Sequence, residues 1–428
     1  MLSTLRTWIS PFRHRGYRVI ASAGALSLIG SSITSLALPL FIVGAGGSAV
    51  FAGVLATLRL VGTTIMPLFG GVLSDRWPRR AMFITADAVR AVCLAAVLIV
   101  VVASPTGGFV IIGVAVLIEG LVGALLTPAL PAAIRTSLEG DALQQGMVAW
   151  QSLAISTMMI GPLLGGVLLY VSPALPFAVN VISYAASLLI ILLSRVDFGG
   201  GTRAENPVSF RSDIATSLRY AFGNRYLRAY GIGSAVLNVT SAAALFALPI
   251  VVAQTLPGGD VLAGGALSAF AVCGLIGTIL ANLVKTQRDL LMLSLLLAML
   301  GTAYLAIGIL RSPWMLIAIM ALTALLIPPL QIRLSTRTIE AIPEAELGKA
   351  QGSIALIASA FYPFAGTIAG LLLESLGPWW AFVALGAATF FPILLSLFAP
   401  LRLPSGDAAV ASLGSLSRGH DAGESSEM

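Results

Sequence analysis

Apolar residues run in long blocks along most of this chain, broken by short clusters of charge, glycine or proline. A bilayer-crossing helix needs about 20 mostly apolar residues, and the blocks match that length. They predict helices near residues 17–43, 49–73, 81–103, 108–131, 147–171 and 174–194, then near 229–253, 261–284, 289–310, 313–332, 349–373 and 378–400. The fold class is therefore all-α integral membrane, with twelve transmembrane helices in two six-helix bundles, 17–194 and 229–401.

Residues 1–16 form a short N-terminal segment, and 195–228 form the one long internal polar stretch, which reads as a linker between the bundles. Within the linker Ile214, Leu218, Tyr220 and Phe222 interleave with Arg219 and Arg225, the pattern of a short helix lying on a membrane surface. Residues 402–428 are rich in Ser, Gly, Asp and Glu without periodicity, and a disordered tail is expected there. The halves repeat: Pro128 and Pro329, Pro162 and Pro363, and Gly165 and Gly366 are each separated by the same interval. Such a duplication places a solute site near the midplane, exposed alternately to each side.

Composition sharpens this picture. Of the 428 residues, 58% are hydrophobic and 10% charged, against about 25% charged in soluble domains. With the N-terminus inside, about 21 of the 24 Lys and Arg fall on cytoplasmic segments. Both termini are thus expected in the cytoplasm, and the net charge of +6 reflects topology rather than nucleic-acid binding. Cys93 and Cys273 lie inside apolar runs and His14 and His420 in the polar ends, so neither a disulfide framework nor a metal site is expected. Gly348-Lys349 is followed by Ala350, so no GxxxxGK[ST] loop supplies an ATP site. No GxSxG, HExxH or CxxC pattern points to an enzyme.

After the second predicted helix the chain reads GVLSDRWPRR from Gly71 to Arg80. This resembles the GxLaDRxGRR signature of the major facilitator superfamily, with Pro78 where glycine is usual. The twelve-span layout extends the resemblance over residues 15–400, and it implies the two-bundle fold of that family. It also implies that Gly71, Asp75, Arg76, Arg79 and Arg80 form a cytoplasmic gate, in which an acid beside a basic cluster locks the outward-open state. Loop arginines that merely set topology are the alternative. On the fifth helix Gly161-Pro162-Leu163-Leu164-Gly165-Gly166 is similar to the GPxxGG core of exporter branches, with Thr157 where an upstream glycine is usual. Small residues there allow close helix approach, and Pro162 permits a bend. Together with ADAVRA at Ala86 to Ala91, these segments look most like the branch of macrolide and siderophore exporters.

Charge inside the membrane is the most informative single feature, since a charged side chain at the bilayer centre costs at least about 2.5–3.5 kcal/mol. Glu119 lies about eleven residues, or ~16 Å, into the fourth helix, near the middle of a core about 30 Å thick. Arg59 reaches a similar depth in the second helix. Glu119 is thus the candidate for proton coupling in a substrate cavity, with Arg59 beside it; a permanent ion pair between them is the other reading. Asp87 and Arg90, at i and i+3 on the third helix one to two turns inside the cytoplasmic boundary, read as a local pair that can also join the gate with Asp75. Asn180, Asn238, Asn282 and Gln331 are expected to bridge helices, and Met158, Met159, Phe246, Phe361, Tyr362 and Phe364 are candidates for a soft apolar lining.

The function expected is proton-coupled efflux of amphiphilic small molecules such as drugs, antibiotics or siderophore-like products from the bacterial inner membrane. The partners are substrate, protons and lipid; the chain is monomeric, and no cofactor is needed beyond the proton gradient. The rival functions are nutrient uptake by the same fold and a non-transporting sensor or assembly partner.

Overall fold

The computed structural model describes residues 10–103, 108–200, 225–283, 289–340 and 354–398 apart from 356; several side chains toward helix ends, among them those of Val72, Ser74 and Asp75, lie outside it. After a 3-10 turn at Ser10–Arg13 come α1 (Arg15–Gly44), α2 (Ala49–Arg76), α3 (Arg79–Ala103), α4 (Phe109–Ser137), α5 (Gly140–Val171) and α6 (Leu175–Ser194). Then follow α7 (Arg225–Thr255), α8 (Gly259–Ile279), α9 (Asp289–Leu310), α10 (Pro313–Glu340), α11 (Ala365–Leu376) and α12 (Pro378–Phe398). Ten helical stretches among the described residues are long and apolar enough to cross a membrane, and Ala49–Thr63 and Pro378–Ile393 are shorter apolar helices.

The burial pattern is that of a protein dissolved in lipid. Val110 is 77% exposed and Val92 70%, whereas Asp87, Arg90 and Glu119 are buried. Hydrocarbon can solvate the valines but not the charges.

Helix ends differ from the sequence expectation at proline. The fourth helix was expected to end near Pro131 and the tenth near 332, yet α4 runs through Pro128 and Pro131 to Ser137, and α10 through Pro328 and Pro329 to Glu340. In a bundle, neighbouring helices and local adjustments tolerate the missing N–H. The eleventh expected helix, 349–373, is instead interrupted by a bend at Ala360 and a 3-10 turn at Tyr362–Phe364. Pro363 there lacks the N–H for the helical ladder and disfavours helical geometry at Tyr362. The expected linker helix and the C-terminal tail lie outside the described residues.

By contact the chain falls into two compact units: Met1–Pro207 with Leu245–Val272 and Gly366–Ser375, and Val208–Ala244 with Cys273–Ala365 and Leu376–Met428. In the first, Tyr17, Phe83, Ile134 and Phe198 anchor a core where α1, α3, α4 and α5 meet, with Phe83 and Phe198 edge to face at 5.9 Å. Two glycine crossings bring backbones together in the same unit. A Cβ on Gly53 of α2 would stand 2.2 Å from the Gly366 carbonyl of α11, and one on Gly166 of α5 would stand 2.3 Å from the Asp260 carbonyl of α8. Beside the first crossing the Thr57 and Thr367 hydroxyls are 2.8 Å apart. The second unit packs α9 against α12, with Tyr304 and Phe382 in ring contact.

Candidate functional site

Spacing on single helices assembles most of the site before any two helices meet. Ser27 and Ser31 lie four apart on α1, Asp87 and Arg90 three apart on α3, and Tyr184 and Ser187 three apart on α6, so each pair shares a helix face. Glu119 on α4 is followed by Gly120 and Gly123. A Cβ at Gly120 would meet Arg59 Cγ at 3.0 Å and one at Gly123 would meet Arg90 Nε at 3.3 Å, so both arginine side chains lie flat on α4 beside the carboxylate.

The charges form a chain of alternating sign. Asp87 Oδ1 lies 3.5 Å from Arg90 Nη1, Arg90 Nη2 lies 3.2 Å from Glu119 Oε1, and Arg59 Nη2 lies 3.5 Å from Glu119 Oε2. Tyr184 donates its O–H to Glu119 Oε1 at 2.6 Å, and Ser187 donates to Asp87 Oδ2 at 2.6 Å. Arg90 also donates to Ser27 Oγ at 2.9 Å and Ser31 Oγ at 3.0 Å, with its guanidinium 4.1 Å from the Tyr184 ring centroid. Two carboxylates thus balance two guanidiniums, which offsets the cost of burying each of them.

This cluster forms one end of a cavity of about 520 Å³ within the first unit. Phe83, Leu126, Met147, Trp150 and Gln151 line the rest of it. The volume is that of a pocket for a drug-sized ligand. The side chain of Arg59 is 26% exposed and that of Glu119 5%, so the cavity meets the guanidinium before the carboxylate.

Glu119 and Arg59 thus come together as the sequence reading anticipated. Asp87 and Arg90 lie within ion-pair distance of each other, and Arg90 also reaches Glu119: it sits about eleven residues, or ~16 Å, along α3 from Arg79, level with that carboxylate. Their joining Asp75 in a gate concerns a side chain outside the described part, and the surroundings of Gly71 lie outside it as well. Arg76 is exposed. Arg79 and Arg80 hold the ends of α4 and α6 and the segment after α6: Arg79 donates to Phe198 O at 3.1 Å and Thr136 Oγ1 at 3.1 Å, and Arg80 to Leu192 O at 3.0 Å. On α5, Gly161 and Gly165 face Ser32 and Ile33 of α1, while Gly166 faces α8, all within a helix that continues through Pro162.

Asn180 donates to Thr34 Oγ1 and Asn238 to Ala358 O, both bridging helices. Gln331 is exposed, and the Asn282 side chain lies outside the described part. Met158, Met159, Phe246, Phe361, Tyr362 and Phe364 are absent from the wall of this cavity, whose soft and aromatic members are Met147, Phe83 and Trp150. Sequence reasoning missed Tyr184, Ser27, Ser31 and Ser187. Their signal was the helical spacing of each pair, plus a tyrosine in the middle of an apolar helix.

The description of the Major Facilitator Superfamily matches residues 20–325. The chain belongs to that superfamily. Among its relatives, the protein named multidrug efflux pump Tap of Mycobacterium tuberculosis is 24% identical over 404 residues, 90% of this chain and 93% of the pump. The identically named protein of Mycobacterium bovis matches equally. Among solved structures, the nucleoside transporter NupG shares the fold with a TM-score of 0.66 at 12% identity, covering 93% of this chain and 99% of that one. A POT family transporter in complex with 5-aminolevulinic acid gives 0.65 at 14% identity, covering 90% and 96%. This major facilitator protein is therefore a multi-pass membrane transporter rather than an enzyme.

Proposed function

We propose that this transporter is a proton-driven exporter of amphiphilic small molecules, working by alternating access in the bacterial inner membrane with both termini in the cytoplasm. The observation that carries the reading is the cavity of the first unit, lined both by apolar side chains and by a charge-balanced cluster. An apolar wall of Phe83, Leu126 and Trp150 takes the greasy part of a ligand, and Met147 adapts to its shape. At the cluster a proton changes the net charge of a largely buried site, where such a change acts more strongly on a bound ligand than in bulk water. The likeness to a pump named for multidrug efflux favours export. In this scheme Asp75 and Arg76 supply the cytoplasmic lock, since Arg79 and Arg80 are engaged with α6 and the segment after it.

The test uses everted membrane vesicles with an imposed proton gradient and an amphiphilic fluorescent dye. Export predicts gradient-dependent dye uptake into these inverted vesicles, abolished by a protonophore, and sensitisation to toxic amphiphiles when the gene is deleted. Accumulation only in right-side-out cells, with deletion protecting against toxic nutrient analogues, would assign uptake instead.

A further inference from the structure

The two carboxylates of the cluster are not equivalent. Glu119 lies between both guanidiniums and receives the Tyr184 hydroxyl as well. Asp87 stands at the end of the chain. One of its oxygens takes the Ser187 hydroxyl, and the other, Oδ1, is buried and, among the described residues, has no hydrogen bond and only the 3.5 Å ion pair to Arg90. Buried acceptors are nearly always satisfied, so the unfilled acceptor position on this oxygen, in a residue that lines the cavity, is a place for a proton.

The cost of neutralising each group follows from its partners. Neutralising either carboxylate leaves the cluster at plus one, but a proton on Glu119 also takes from Arg59 its ion-pair partner and leaves Arg90 with Asp87 alone. A proton on Asp87 leaves Arg90 its stronger partner, Glu119, together with its bonds to Ser27 and Ser31. The groups that touch Asp87 are Arg90 on its own helix and Ser187 on α6; Glu119 of α4, Tyr184 of α6 and Ser27 of α1 bear on it through Arg90, and Arg59 of α2 lies beyond Glu119. Asp87 is the member of this set whose neutralisation breaks the fewest contacts.

Resting on the proton-driven reading above, we propose that Asp87 is the carboxyl that takes up and releases the coupling proton, and that Arg90 and Glu119 transmit its state to Arg59. The step forms one O–H bond on Asp87 Oδ1 at the expense of a hydronium ion from the cavity, and the cluster goes from neutral to a net charge of plus one. Arg90 then turns wholly to Glu119, the hold of Glu119 on Arg59 weakens, and the exposed guanidinium faces the ligand. A cationic amphiphile is repelled from the protonated site and accepted by the deprotonated one, which is the reciprocity an antiporter requires.

Infrared difference spectroscopy on the full chain in lipid nanodiscs, recorded as pH is lowered, tests this. The wild type should gain a protonated-carboxyl C=O band. That band should shift in Ser187→Ala, remain but emerge at lower pH in Glu119→Gln, where Asp87 is the remaining counter-charge to Arg90, disappear in Asp87→Asn and return in Asp87→Glu; the other acidic residues cancel in the comparison between variants. A band lost in Glu119→Gln but kept in Asp87→Asn overturns the assignment, and so does a wild type with no such band over the range in which it stays folded. The Ser187→Ala shift reads the hydrogen bond directly and does not depend on the Asn variant folding. Gradient-driven dye transport in vesicles is measured separately. Its failure with the band intact removes the export reading and leaves Asp87 as the titrating group; the band's failure with transport intact does the reverse.

Discussion

Tyr184 serves both partners of the central ion pair at once: its hydroxyl donates to Glu119 Oε1 at 2.6 Å while its ring lies 4.1 Å from the Arg90 guanidinium. The ring keeps the guanidinium flat and the hydroxyl shares the oxygen that Arg90 reaches, so one side chain sets the geometry of both charges.

Tyr184→Phe separates these two roles. The ring contact survives and the hydroxyl's contacts with Glu119, Arg90 and Ser31 are lost, so folding stability should fall by about 1–2 kcal/mol, the range for polar contacts between membrane helices. Denaturation of the reconstituted protein in mixed micelles measures it. A variant as stable as the wild type would mean that the hydroxyl contributes nothing to holding Glu119.

Arg90 should be the least replaceable residue of the cluster. Arg90→Ala leaves both Asp87 and Glu119 short of counter-charge and should cost about 3–5 kcal/mol. Arg90→Lys restores the charge but not a planar fork able to reach Glu119, Ser27 and Ser31 together, and should recover less than half of the loss. The amount of folded protein by size-exclusion chromatography, followed by thermal unfolding, ranks the three proteins.

The crossing of α2 and α11 invites a covalent probe. Thr57→Cys with Thr367→Cys, in a background lacking Cys93 and Cys273, should form a disulfide readily, because the native hydroxyls are 2.8 Å apart. Adding Gly53→Val should reduce the cross-linking yield severalfold, since even a Cβ at this position meets the Gly366 carbonyl at 2.2 Å and the helices must part. A mobility shift on non-reducing gels reads the yield.

The apolar end of the cavity can be narrowed from α1. A Cβ at Gly24 would lie 2.7 Å from the Trp150 ring, so Gly24→Val should push the indole into the cavity. Affinity for bulky amphiphiles should drop about tenfold, equivalent to ~1.4 kcal/mol, and small ones should lose less. Competition among dyes of graded size in vesicles gives the comparison. An equal loss at every size would place the ligand elsewhere.

Much of this architecture was legible before any coordinates. Apolar runs of bilayer length announce the helices because hydrocarbon leaves few alternatives, and Glu119 and Arg59 stand out because a charge there is costly. Asp87 and Arg90 were legible as a pair from their spacing, but not as neighbours of Glu119. That contact depends on how far α3 slides along α4, which nothing within either segment specifies. Tyr184 and the serines were hidden for a related reason: hydroxyls in helices often bond their own backbone, as Ser31 does to Ser27 O at 2.7 Å, so their presence alone announces no partner.

Local chemistry thus sufficed for which segments enter the lipid and which side chains cannot be left facing it. The pairing of those side chains was settled by helix rotation and register. A membrane helix is apolar nearly all round, so hydropathy marks no inward face; small residues such as Gly120, Gly123 and Gly53 set the closest approaches instead. Only when α1, α2, α3, α4 and α6 have packed does the chain of charges from Asp87 to Arg59 exist.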